Sequence, residues 1–197
     1  MIDTVKFFKE KKYVLIKEMI PRDIAKVATQ YSHYDRASNF QPESEGAQIP
    51  GSHSVYGDPL METLLNFGRK TIEKSTGLEL WPTYSYYRLY KVGDMLKRHK
   101  DRPSCEISTT VNLGGDEWPI FLEPSGELDK QGVKVILEPG DMLIYRGCDL
   151  EHWRDAFEGD DCGQVFLHYN DQGKPDAMSN LYDGRPFLGL PEWYKKI

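Results

Sequence analysis

From Leu78 onward the chain is a series of short runs rich in Tyr, Val, Ile, Thr and Phe, cut by turn residues. No other feature restricts the fold as much. The runs are TYSYYRLY, EISTTVNL, PIFLEP, VKVILEP, DMLIYRG and QVFLHYN. Between them stand Val92-Gly93-Asp94, Gly114-Gly115-Asp116, Pro124-Ser125-Gly126 and Pro139-Gly140-Asp141, residues that close turns because they reach backbone angles strands avoid. The spacing is that of a sandwich or barrel and predicts an antiparallel double sheet. A chain of 197 residues is long enough for one well-buried core and short for two. A single domain spanning 1–197 is therefore expected. Residues 1–77 would supply a supporting strand, helices and loop, 78–171 the β core, and 172–197 a tail of coil packed on the sheets.

Ahead of the core, YVLI (Tyr13 to Ile16) reads as a strand. IPRDIAKVATQY places Ile20, Ile24, Val27, Ala28 and Tyr31 on one helical face, with Pro21 in the first turn. A second helix begins at Asp58 as N-cap with Pro59 behind it, repeats Leu60, Leu64, Leu65, Gly68 and Ile72, and stops at Gly77. Between the helices, Ala37 to Gly57 is polar, aperiodic and rich in Ser, Gly and Pro. Such a stretch predicts a mobile lid.

A net charge of -6 and a pI near 5.4 oppose general binding to nucleic acid or anionic membrane. The N-terminal stretch is broken by charges and has no apolar h-region, and no segment approaches a membrane span. Cys105, Cys148 and Cys162 are odd in number and lack CxxC spacing, which argues against a disulfide framework and fits a reducing cytoplasm.

Candidate chemistry sits in MLKRHKDRPSCEIS, where His99 and Asp101 lie two positions apart. Alone, a His-x-Asp pair is a weak signal and a solvated turn explains it. His152, just beyond the strand DMLIYRG, adds a third ligand candidate. Two imidazoles and a carboxylate on one face of a metal leave open positions, as in non-haem Fe(II) oxygenases. In a jelly roll a pair leaving one strand and a histidine several strands later can meet at the barrel mouth. His168 reads as a buried or half-buried strand histidine, His33 as a helix-end residue and His53 as a loop residue. Trp118, Trp153 and Trp193 read as packing residues, with Trp153 a candidate for the substrate channel.

The stretch YYRLYKVGDMLKRHKDRPSCEISTTVNLGGDEWPIFLEP, followed by LEPGDMLIYRGCDLEHW and GQVFLHYN, resembles the catalytic core of Fe(II)- and 2-oxoglutarate-dependent dioxygenases, particularly the prolyl-4-hydroxylase-like branch. The resemblance covers about residues 80–171. It implies a mainly β fold, a double-stranded β-helix (jelly roll) with N-terminal helices on one sheet. It also implies Fe(II) held by His99, Asp101 and His152, O₂ as oxidant, and 2-oxoglutarate as a small-molecule cosubstrate whose far carboxylate meets Tyr90. The substrate, protein or small molecule, is left open. One departure stands out. The family places an Arg or Lys some nine to twelve residues after the distal histidine, whereas here Gln164 holds the nearest position and no basic residue lies between Arg154 and Lys174. Gln can hydrogen-bond a carboxylate but cannot neutralise it. Either another residue supplies the charge, or 2-oxoglutarate is bound weakly or not at all. Side chains alternate along a strand, so Arg88 and Tyr86 should share the inward face of Tyr90. Arg88 is then the leading replacement, with Arg102 and Arg146 less specific candidates. A metal-dependent cupin-like enzyme using no 2-oxoacid and a non-catalytic jelly-roll binding module are the competing readings.

Overall fold

The computed structural model describes residues 3–40, 42–45, 47–127 and 130–195. In chain order its elements are α1 (Thr4–Lys11), β1 (Tyr13–Ile16), α2 (Arg22–Asn39), β2 (His53–Tyr56), α3 (Pro59–Thr76), β3 (Leu80–Tyr90), β4 (Leu96–His99), β5 (Ile107–Gly115), β6 (Ile120–Glu123), β7 (Val133–Val135), β8 (Met142–Arg146), β9 (Glu151–Arg154) and β10 (Cys162–Asp171). Two antiparallel sheets form, one ordered β1-β8-β5-β10-β3-β2 and the other β4-β9-β6-β7. This is the jelly roll expected from the sequence.

Alternation along the strands divides the core into layers. Tyr87, Val111, Met142, Ile144, Val165, Leu167 and Tyr169 point out of the six-stranded sheet and meet Phe8 of α1, Ala25 and Ala28 of α2, and Met61, Leu65 and Ile72 of α3. Between the sheets, Leu143 and Tyr145 meet Ile120, Leu122, Val135 and Leu137. Each fully buried aliphatic side chain here, Ile72 for example, stabilises the fold by about 1.5–3 kcal/mol.

α3 follows its sequence signals. Asp58 accepts from the Met61 amide at 3.0 Å, Pro59 occupies the first turn, and Gly77 closes the helix in the left-handed region at φ 73. α2 follows them only in part. Ile24 and Val27, assigned to the apolar face, are 45% and 59% exposed, and the buried face is instead Ala25, Ala28 and Ser32. Small side chains let the helix lie close to the sheet, where Thr29 donates to the Leu113 carbonyl at 2.7 Å. The charge-rich α1 escaped sequence reading because Phe8 is its one fully enclosed side chain.

The tail is also more ordered than coil. Short 3-10 segments form at Ala177–Gly184 and Glu192–Tyr194; the first lies beside β3, and the tail is pinned by Arg185 to Glu62 at 2.6 Å and by Arg102 to Asp183 at 2.9 Å. Trp193, expected to pack, is 74% exposed and stacks on Tyr194. No helix among the described residues is long and apolar enough to cross a membrane.

Candidate functional site

The two sheets open at one end into a cavity of about 460 Å³. His99 ends β4 and His152 lies on β9, and the two are cross-strand partners, which brings their rings to 4.2 Å between centroids. Asp101 follows β4 by two residues and is tied back by its amide to the Gly147 carbonyl at 2.9 Å. Ligand atoms of His99, Asp101 and His152 all lie within 4.8 Å of one another. The Nε2 atoms of His99 and His152 stand 3.7 and 3.5 Å from Asp101 Oδ1.

Local hydrogen bonds orient each of the three. His99 Nδ1 meets the Lys97 carbonyl at 2.7 Å and His152 Nδ1 meets the Leu150 carbonyl at 3.1 Å. Each carbonyl accepts a hydrogen bond from Nδ1–H, which leaves the Nε2 lone pairs turned toward Asp101. Ser108 Oγ donates to Asp101 Oδ2 at 2.6 Å, so Oδ1 is the free oxygen. Burial alone would raise the Asp101 carboxyl, but His152, His168 and Ser108 hold it well below the usual carboxylate range. Burial and the neighbouring His152 push His99 below the ordinary histidine value. An ionised carboxylate and two imidazole Nε2 atoms aimed at one point are the donor set a borderline divalent metal requires. The residues fit such an ion.

Gly147 makes this packing possible. A Cβ there would collide with Asp101 Oδ2 and stand 2.5 Å from the Cys105 carbonyl. His168 is buried beside the triad, 3.0 Å from Ser108 Oγ and tilted against the Tyr84 ring, and burial pushes it down to about 4. It therefore stays neutral near pH 7.

Of the cosubstrate candidates, Arg88 and Tyr90 line the cavity and Gln164 does not. Tyr84, Tyr86, Arg88 and Tyr90 face the cavity from β3, in keeping with strand alternation, and Gln164 on β10 is the cross-strand neighbour of Arg88. Arg88 is not free, however. Its guanidinium pairs with Glu43 at 2.7 Å and reaches Gln48 at 3.4 Å. Burial alone would raise the Glu43 carboxyl, but bonds from Ser54, Tyr86 and Arg88 hold it below its usual range. Arg102 lines the mouth and pairs with Asp183. Arg146 turns away to Glu106 and Phe8. Trp153, a candidate for the channel, lies on the outer face of its sheet, stacked on Phe121 at 5.5 Å with Arg98 above it.

The segment 37–57 is shorter as a loop than its composition suggested. Ala37 to Asn39 finish α2, and His53 to Tyr56 form β2 with His53 buried against Asp35 and Tyr87. Gln41 and Gly46 lie outside the described residues. In the intervening loop Gln48 sits 3.0 Å from His99 Nε2, and Ile49 is buried among Tyr90 and Leu96. Sequence reading missed Glu43, Gln48, Ser108 and Gly147, whose roles arise from contacts distant in the chain. It also missed Arg154, whose signal was available: two residues beyond His152, it shares that histidine's face of the strand.

No protein-family model matches the chain, and no curated protein matches it in sequence. Solved structures match it in fold, and the class they define is the double-stranded β-helix of 2-oxoglutarate-dependent oxygenases, prolyl-4-hydroxylases among them. A prolyl-4-hydroxylase from Pseudomonas putida aligns with a TM-score of 0.66 at 17% identity, over 87% of this chain and 100% of that one. SnoN, a non-haem α-ketoglutarate-dependent epimerase of nogalamycin biosynthesis, aligns with a TM-score of 0.70 at 13% identity, over 85% of this chain and 81% of its own. HygX from Streptomyces hygroscopicus, solved with nickel and 2-oxoglutarate bound, gives 0.64 at 12%, over 87% of each chain. At these identities the likeness is one of fold.

Proposed function

We propose that this protein is an Fe(II)- and 2-oxoglutarate-dependent oxygenase that hydroxylates an unactivated C–H bond of a protein side chain or small molecule. His99, Asp101 and His152 are its metal ligands. The observation that carries the reading is the convergence of two Nε2 atoms and Asp101 Oδ1 on one point at the open end of the jelly roll. An Fe(II) ion there supplies the redox chemistry by which O₂ and 2-oxoglutarate become succinate and CO₂ while a substrate C–H becomes C–OH.

The chain's own residues bind, orient and exclude. Ser108 keeps Asp101 Oδ1 turned to the metal point, and the Lys97 and Leu150 carbonyls keep both imidazoles in the metal-binding tautomer. Ile120, Leu96 and Tyr145 form an apolar wall beside the triad that limits water at the reacting centre. Tyr90 borders the place for the distal carboxylate, while Arg88 holds Glu43 of the loop. The cavity mouth, lined by Tyr84, Tyr86 and Phe166, receives the substrate.

The test is Mn(II) titration followed by calorimetry with 2-oxoglutarate, then succinate release by the Fe(II)-loaded protein in O₂. One metal per chain, metal-dependent 2-oxoglutarate binding and succinate formation are expected. Metal binding without any 2-oxoglutarate binding would favour the 2-oxoacid-independent metalloenzyme instead.

A further inference from the structure

Arg154 lies two residues beyond His152 on β9, and both side chains are enclosed, at 1% and 2% exposure. Every other arginine has a carboxylate oxygen within 3.6 Å. Arg154 has none among the described residues. Its Nη1 donates to the Trp118 carbonyl, its Nη2 donates to Gln164 Oε1 at 3.3 Å, and its Nε is buried without a partner. Burial pushes this guanidinium below the ordinary arginine value, whereas Tyr90, Tyr86 and Glu43 outweigh burial at Arg88 and hold it above. A buried cation with no counter-ion is costly and calls for an anion.

A second unmet donor stands beside it. The Tyr90 hydroxyl is fully buried and has no hydrogen-bond partner among the described residues. Tyr90 packs on Trp118 at 4.7 Å, and Arg154 lies over the same indole at 5.0 Å. The cavity reaches Tyr90 and Leu96, and Leu96 is the cross-strand partner of Arg154. Gln164 is already committed, because its Oε1 accepts from Thr110 at 3.0 Å as well as from Arg154, and its Nε2 donates to Cys162 Sγ at 3.2 Å. Two residues of strand span about 6.6 Å. Four C–C bonds of about 1.5 Å in zigzag set the end carbons of a five-carbon diacid about 5 Å apart. A five-carbon diacid is thus comparable in length to the step along β9 from His152 to Arg154.

We infer that Arg154, held by Gln164 and Trp118 and assisted by Tyr90, binds the distal carboxylate of the 2-oxoacid cosubstrate and selects a diacid over a monoacid. The inference rests on the oxygenase reading above. It transfers the counter-charge from β10, where Gln164 stands, to β9. It also leaves Arg88 to Glu43 and the loop over the mouth. Gln164 becomes a positioning residue for the guanidinium, which explains an uncharged amide at that point.

The test compares 2-oxoglutarate with 2-oxopentanoate, the same chain without the second carboxylate, by calorimetry on Mn(II)-loaded protein. Wild type should prefer 2-oxoglutarate at least tenfold. Arg154→Met and Arg154→Gln should lose that preference while binding 2-oxopentanoate and Mn(II) as wild type does, an outcome a purely structural role would not give. Arg88→Met should keep it. Retention of the preference in both Arg154 variants, or its loss in Arg88→Met alone, overturns the assignment. Equal wild-type affinity for the two acids overturns it too while sparing the oxygenase reading. Binding of neither acid by metal-loaded wild type ends both. Should the Arg154 variants fail to fold, a crystal structure of the wild type with Mn(II) and 2-oxoglutarate decides. A distal carboxylate on the Arg154 guanidinium supports the inference, and one on Arg88 overturns it.

Discussion

His99 and His152 face each other as a cross-strand pair, each with Nδ1 fixed by the carbonyl two residues earlier, so that strand pairing itself aims both Nε2 atoms at Asp101. A pair built this way is set before any ion arrives. His99→Ala and His152→Ala should each abolish stoichiometric Fe(II) or Mn(II) binding at micromolar metal while leaving the circular dichroism spectrum unchanged. Full metal content in both variants, by elemental analysis after gel filtration, would remove the triad from the metal site.

Gly147 touches Asp101 where no Cβ fits. Gly147→Ala should displace the carboxylate, weaken Mn(II) binding at least tenfold, and cost about 1–3 kcal/mol of stability from overpacking. Calorimetric metal titration and urea denaturation measure the two effects separately. Wild-type metal affinity in this variant would mean that Asp101 is not held by its contact with Gly147.

Arg88 and Glu43 form a nearly enclosed ion pair, 4% and 13% exposed. Removing one partner strands the other charge, so Glu43→Ala should destabilise by about 3 kcal/mol. Glu43→Ala with Arg88→Met should cost clearly less than the sum of the two single changes. Additive urea midpoints would show that the pair is not coupled.

Gln48 reaches His99 Nε2, the nitrogen the metal needs. Adding Mn(II) should break that contact and change hydrogen exchange across residues 47–52, as a loop acting as lid requires. Identical protection with and without metal and 2-oxoglutarate would count against a lid.

Asp183 binds the tail to the mouth through Arg102, Lys195 and Tyr56. Burial alone would raise its carboxyl, but these three partners hold it at about 2 against an ordinary 3.8. A depressed carboxylate stabilises the fold fully above the unfolded value, and that contribution fades as pH falls through about 2. At stake is about 2 kcal/mol. The stability gap between wild type and Asp183→Asn should therefore narrow from pH 5 to pH 2. A gap independent of pH would assign the difference to something other than the carboxylate charge.

What the sequence determined by itself was everything governed by local period and local chemistry. Alternating Tyr, Val and Ile runs with turn residues between them made the double sheet legible, because a strand's two faces are written two residues apart. Asp58, Pro59 and Gly77 marked α3 for the same reason. His99, Asp101 and His152 could be singled out, and the inward parity of Arg88 and Tyr90 followed from counting. Tertiary structure alone decided which charges are spent. Arg88 looks like an available cation until Glu43, 45 residues earlier in the chain, closes on it. Parity puts Arg154 on the face of His152, but only β4 and Trp118, closing around it, decide that it is buried without a counter-ion. The face of α2 was decided in the same way, by how closely Ala25 and Ala28 let the helix approach the sheet. Charge pairing and close approach depend on residues that folding brings together, so they have no period along the chain to be read.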